Sequence, residues 1–273
     1  MKNIIYISLI LSLFIFSSCE KVINVDLTTA APKLVIDGSI KWKKGTAGNE
    51  QTIKLSTTTS YYSNTIPTVS NTVVFVTDSN DSTFNFIENG TTGEYVCNNF
   101  VPILDETYTL TILYDNETYS ATETLKAVPV IDSIAQKNDT GFSGKDIEIK
   151  AFFTDNGATN DYYLFKVKPN YNSIPSYGVF YDRFFQGNSF YAIYSDDKSK
   201  SGDVLQIALQ GISKRYHSYM SILISLAGSN NGSPFQSPPA TVRGNIINQT
   251  NEANYALGYF SLSEIDSLEY IIE

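Results

Sequence analysis

Histidine, cysteine and cationic side chains are all scarce in this sequence, and each scarcity closes off a class of function. His217 is the single histidine. A serine or cysteine nucleophile would need it as base, yet it stands between Tyr216 and Ser218 and no nucleophile-elbow motif occurs in the chain. One histidine also excludes a multi-histidine zinc site, and there is no Cys/His cluster to replace it. Lysine and arginine number 19 against 28 acidic residues, for a net charge of -9 without any basic run. That balance excludes nucleic acid as a partner and argues against adhesion to an anionic membrane surface. Charged residues make up only 17% of the chain, while Thr, Ser, Asn and Tyr abound. This is the profile of an extracytoplasmic β-protein.

No apolar run is long enough to span a bilayer, but one has another use. Lys2 gives a positive start, Ile4 to Phe16 is an almost unbroken apolar core of about 13 residues, and Ser17-Ser18-Cys19 closes it. Two small residues before a cysteine is the pattern that bacterial lipoprotein processing requires; an ordinary cleaved secretory signal with a chance cysteine is the alternative. On the lipoprotein reading residues 1–18 are a signal peptide, Cys19 becomes the lipidated N-terminus, and residues 19–31 form a tether. A diacylglycerol plus an N-acyl chain such as palmitate holds far better than one chain alone, so the protein is anchored and does not span. Lipidation consumes one of the two cysteines. Cys97 is then left without a disulfide partner and reads as a small buried residue on a strand.

After the tether the fold class reads as all-β, in two β-sandwich-like domains. Residues 32–127 hold seven short strands separated by turns: 34–40, with Gly38 as a bulge, then 51–57, 72–77, 83–87, 94–98, 107–114 and 118–124. Gln51–Thr57 alternates cleanly, and Asp115-Asn116 makes a tight hairpin between the last two strands. Val101 to Ile112 resembles the tyrosine corner of immunoglobulin-like and fibronectin-type-III domains, with Tyr108 at the position whose hydroxyl bonds back to the preceding loop. Pro129 marks a boundary. Residues 128–273 form the second, β-rich domain, with strands at 147–153, 162–168 and 204–209. One helix, at 213–227, is capped by Ser213, carries Tyr216, Met220, Leu223 and Ala227 at helical spacing, and ends at Gly228.

Candidate sites are few. Asp78-Ser79-Asn80-Asp81 and Asp155 to Asp161 place oxygen ligands at short intervals, but neither follows the EF-hand pattern, and both read as polar turns. No metal ligand, cofactor site or catalytic residue is assigned. The aromatic content, 19 Tyr and 16 Phe, is the best sign of a binding surface, and it crowds into residues 171–194. Core packing must claim many of these rings. Tyr177, Tyr181, Phe184, Phe185 and Tyr191 are the candidates for a surface that stacks on a glycan or packs against a partner barrel.

Phe235 to Asn248, with Pro238-Pro239 and Gly244, and then Ala256-Leu257-Gly258-Tyr259-Phe260-Ser261 resemble the closing motifs of a Bacteroidota outer-membrane lipoprotein family catalogued as domain of unknown function 4249. The Cys19-Glu20-Lys21-Val22-Ile23 start, Lys33 to Gly38 and Pro129 to Asp132 fit it too. The resemblance implies a lipid-anchored location at the outer membrane, on the cell surface, and genes encoded beside TonB-dependent receptors. It therefore implies a non-catalytic accessory subunit whose partner is a TonB-dependent receptor β-barrel. A stand-alone glycan- or ligand-binding lipoprotein is the alternative, and a glycosidase comes third, requiring two carboxylates about 5 to 10 Å apart in a cleft. Gly244 and Gly258 should mark sharp bends or close backbone approaches.

Overall fold

The strands of the first half form where apolar residues alternate with threonine, serine and lysine. They are β1 (Leu34–Lys43), β2 (Gln51–Thr57), β3 (Val73–Thr77), β4 (Thr83–Glu88), β5 (Glu94–Cys97), β6 (Thr107–Tyr114) and β7 (Glu117–Thr124). The computed structural model describes residues 31–60, 63–140, 144–228 and 242–273. Cys19, its signal peptide, most of the tether and Phe235 to Thr241 of the closing motif lie outside the described residues. The turn at Asp115-Asn116 takes left-handed values at both positions (φ 52° and 59°), which matches the twist of the flanking strands. The tyrosine corner is formed as expected: the Tyr108 hydroxyl donates to the Val101 carbonyl at 2.7 Å and accepts from the Ile103 N–H at 3.0 Å.

The second half supplies β8 (Ile131–Thr140), β9 (Asp146–Thr154), β10 (Tyr162–Pro169), β11 (Ser176–Tyr181), a short 3-10 turn (Asp182–Phe184), β12 (Ser189–Asp196), β13 (Val204–Ile212), α1 (Lys214–Gly228), β14 (Ile247–Asn248) and β15 (Leu257–Ile271). The all-β class holds, with one helix among the described residues. Ser213 caps α1 by accepting the Tyr216 N–H at 3.1 Å. Met220, with Tyr216, Tyr219, Leu223 and Ile224, packs α1 on Leu164 and Ile212 of the sheet.

Twelve strands join in the order β11-β10-β13-β15-β1-β2-β5-β4-β3-β6-β7-β14, and β12-β9-β8 form a separate sheet. β4 pairs first with β3 and at its end with β5, so the large sheet turns over there. Ile36 and Ile53 from one limb and Val74 and Leu110 from the other therefore share a core. A second core lies between the small sheet and the β10-β13-β15 limb, around Ile149, Phe153, Tyr163, Leu205 and Ile207.

Position 128 separates β7 from β8, but the cores do not divide the chain there. Ile246, Ala256, Phe260 and Leu262 return to the first core from the far end of the sequence. β15 is the reason. Residues 257–265 run parallel to β1, and residues 265–271 pair antiparallel with β13 on the other side. One 15-residue strand thus belongs to both cores, and residues 32–273 form one compact unit. The buried carboxylate of Glu264 sits at this junction, accepting Lys44 Nζ at 2.7 Å and the Val128 N–H at 2.9 Å.

The glycines of the closing motif make this strand possible. Gly258 has φ +94°, and a Cβ there would stand 1.9 Å from the Ile36 carbonyl oxygen. A Cβ on Gly244 would lie 1.7 Å from the Gly258 carbonyl oxygen, so three backbones stack without side chains between them. Gly38 is not a bulge. It keeps register with Phe260, whose ring stands 3.1 Å from where its Cβ would be.

Candidate functional site

Alternation along the strands distributes the aromatic stretch over several environments. On β10, Tyr163, Phe165 and Val167 face the second core, so their β11 partners on that face, Phe180 and Gly178, do too. Phe185 joins them: it is 7% exposed and stacks on Phe190 with centroids 3.9 Å apart. Its place is in the core, and it cannot contribute to a surface. Phe153 is the hub of this cluster, with rings of Tyr163, Phe180, Phe185 and Phe190 about it. Tyr194 is buried as well, and its hydroxyl meets that of Tyr171 at 3.0 Å.

Tyr177 and Tyr181 point to the opposite face of the sheet, on its outermost strand. Tyr181 stacks on Tyr162 at 5.9 Å and approaches Phe184 at 6.5 Å. Phe184, in the 3-10 turn, is 85% exposed, and Ile174 at the other end of β11 is 73% exposed. Tyr191 lies elsewhere, on the outer side of the small sheet, against Phe152 at 5.4 Å and beneath Lys150 Nζ at 4.7 Å. The structure therefore brings Tyr181 and Phe184 together along one strand edge with Tyr177, and separates Tyr191 and Phe185 from them. Ile174 is the member that sequence reasoning missed, because attention to aromatic residues passed over an aliphatic one.

The second candidate is acidic. Asp155 follows β9, Asp161 precedes β10 and Asp182 opens the turn after β11; one oxygen from each lies within 4.8 Å of the others. The pairing of Tyr162 with Tyr181 makes residues 161 and 182 the next positions along the same hairpin. That register, absent from the sequence reading, is what brings in Asp182. The group borders a cleft of about 740 Å³ lined also by Lys126, Pro129, Tyr163 and Lys214.

The acidic side chains are already engaged. Asp155 is 5% exposed and accepts from the Tyr163 hydroxyl and, at 2.8 Å, the Gly187 N–H. Asp182 is 2% exposed and accepts the Asp161 N–H at 2.7 Å. Thr159 donates to Asp161 at 2.7 Å. Burial, with the neighbouring Asp155 and Asp182 charges, pushes the Asp161 carboxyl above the ordinary aspartate range, and burial and Asp155 push the Tyr163 phenol up. A glycosidase pair needs two acids open to the cleft. Here Asp155 and Asp161 line the cleft and Asp182 does not, and Asp155 and Asp182, both nearly buried, are spent on holding loops together. Such oxygens could ligate a hard cation, but each carboxylate already has a protein donor.

The remaining candidates read as structure. The Asp78 carboxylate accepts the Asn80 and Ser82 N–H groups in a turn. His217 is wedged edge-on between the rings of Tyr162 and Tyr181, and burial lowers its pKa. Cys97 is buried on β5. Among the described residues no helix is long and apolar enough to cross a membrane.

A family model described as domain of unknown function (DUF4249) matches residues 20–269. No curated protein matches. Among solved structures, a two-fibronectin-type-III-domain segment of chicken tenascin is 11% identical, with 66% of this chain and 90% of that one covered and a TM-score of 0.21. A cytokine receptor complex is 6% identical, covering 68% and 86%, with a TM-score of 0.25. A DUF4785 family protein from Legionella pneumophila is 11% identical, covering 64% and 51%, with a TM-score of 0.23.

Proposed function

This chain belongs to the DUF4249 family, and we propose that it is a non-catalytic Bacteroidota cell-envelope lipoprotein, anchored to the outer membrane through Cys19, that serves as an accessory subunit of a TonB-dependent transport system. The observation that carries the reading is the β11 edge, which no other strand covers among the described residues. Ile174, Tyr177, Tyr181 and Phe184 present exposed apolar surface along the outermost strand of the large sheet. An open edge of this kind offers main-chain hydrogen bonds and ring contacts together, the combination by which proteins add a strand or pack a loop. A receptor barrel with exposed loops or a periplasmic strand would meet both needs.

A stand-alone glycan binder is favoured by one feature, the half-exposed Tyr191 ring beside Lys150 on the small sheet. A mild-detergent pull-down from native outer membranes, through a C-terminal tag, tests the two. The accessory role predicts a β-barrel receptor in stoichiometric amount. A clean monomer that binds oligosaccharides on an array would transfer the role to Tyr191.

A further inference from the structure

The face of the large sheet turned away from the cores holds an unusual concentration of one charge. On β1 the residues Ile36, Gly38 and Ile40 face inward, which leaves Lys41 and Lys43 on the other side. On β10 the same alternation leaves Lys166 and Lys168 outside Tyr163, Phe165 and Val167. β15 and β13 lie between and lay a floor that includes Ile265, Ala208, Gln206 and Gln210. The result is a groove of about 420 Å³, the size of a small-molecule site.

A chain of net charge -9 has placed four of its 19 cationic residues in this one groove. Elsewhere Lys44, Lys54, Lys126 and Lys150 each pair with a carboxylate. Among the described residues none of the groove's four does, and a single carboxylate, Glu269, is among the lining residues. The crowding is felt: burial, then Lys41 and Lys168, lower the pKa of Lys166. Gln210 is 5% exposed and lines the groove beside Gln206. Like charges held together destabilise the empty protein, as sites organised for a ligand do.

We propose that this groove binds a small organic anion with two or more negative groups, bridged between Lys41 and Lys43 on one side and Lys166 and Lys168 on the other, with Gln206 and Gln210 as hydrogen-bond partners. β1 and β10 are three strand spacings apart, about 14 Å, so the flexible lysines converge from both sides on a ligand lying across the floor. Ammonium groups act as point charges without a planar fork, so they accept phosphate or carboxylate alike.

Calorimetric titration of the full chain in detergent, at fixed ionic strength, tests this with pyrophosphate and citrate as probes. Saturable 1:1 binding of at least one is expected, weakened tenfold or more in Lys41→Gln/Lys166→Gln and unchanged in the control Lys54→Gln/Lys150→Gln. Binding of pyrophosphate alone identifies phosphate chemistry, of citrate alone carboxylate chemistry, and of both a charge-selective site. Without anion the groove variant should melt no lower than wild type, because it relieves repulsion. The bound probe should raise the melting temperature of wild type only. No saturable binding, equal affinity in the groove variant, or a lower melting temperature for that variant without anion would overturn the proposal.

Discussion

The two ends of the large sheet deal with their exposed edges in opposite ways. At one end β7 is covered by the two-residue β14, reinforced by the Gln249 N–H donating to the Thr118 carbonyl at 2.7 Å and the Thr118 N–H donating to Thr250 Oγ at 3.0 Å. β14 pairs with Tyr119 and Ser120 only, and beyond it Arg215 donates to the Thr122 carbonyl at 3.2 Å, so this edge is partly covered, a common protection against edge association. At the other end β11 is six residues long and flanked by Ile174 and Phe184, both largely exposed. Both cores carry buried rings: the first joins Phe84, Phe100 and Tyr108 and is pinned by the Tyr108 hydroxyl, and the second gathers its rings about Phe153, near the buried Asp155 and Asp182. On the proposed accessory role, the open β11 edge of the second half is the recognition surface and the first half serves as scaffold.

The comparison fails most completely if the shared strand is broken. Gly258→Ala should abolish folding or cost more than about 4 kcal/mol, since the new methyl would meet the Ile36 carbonyl at a positive φ. Both cores should be lost in one calorimetric transition; a surviving second transition would show that β15 does not couple them. Tyr108→Phe comes next. It leaves the Val101 carbonyl and Ile103 N–H without their partner and should cost about 1–2 kcal/mol. Hydrogen exchange should accelerate in the Val101–Ile103 loop and leave the second core untouched.

Asp161→Asn should have the smallest effect and the opposite sign. Because the folded-state pKa of Asp161 is raised, the folded protein binds that proton more tightly than the unfolded chain. The penalty is absent below the ordinary aspartate value of 3.8 and grows as pH rises through the folded value. The amide should therefore stabilise by less than about 1 kcal/mol at neutral pH, the group being partly exposed and screened. Urea unfolding should show that gain at neutral pH and none near pH 3.

How much of this was legible depended on sequence distance. β2, β6 and β7 could be read from alternation, and Asp115-Asn116 from turn chemistry, because each is decided by residues a few positions apart. Tyr108 was legible for the same reason, its partners lying within seven residues. The parallel pairing of β1 with β15 joins positions more than 200 residues apart, and no local pattern announces it. Gly244 and Gly258 hinted at a close approach without saying to what. In the aromatic stretch, ring density could suggest a surface but could not assign faces. Only the β10–β11 register sends Phe180 inward and Tyr177 and Tyr181 outward, and only the turn after it separates buried Phe185 from exposed Phe184.

The central claim is that recognition belongs to the β11 edge, and photo-crosslinking in native outer membranes tests it most directly. A benzophenone side chain would replace Phe184 in one protein and Ile87 of β4 in another; both positions are strongly exposed, at 85% and 69%, one in each half. The account predicts a single discrete adduct of β-barrel receptor size from position 184 and none from position 87. Adducts from position 87 alone, or equally from both, would contradict it.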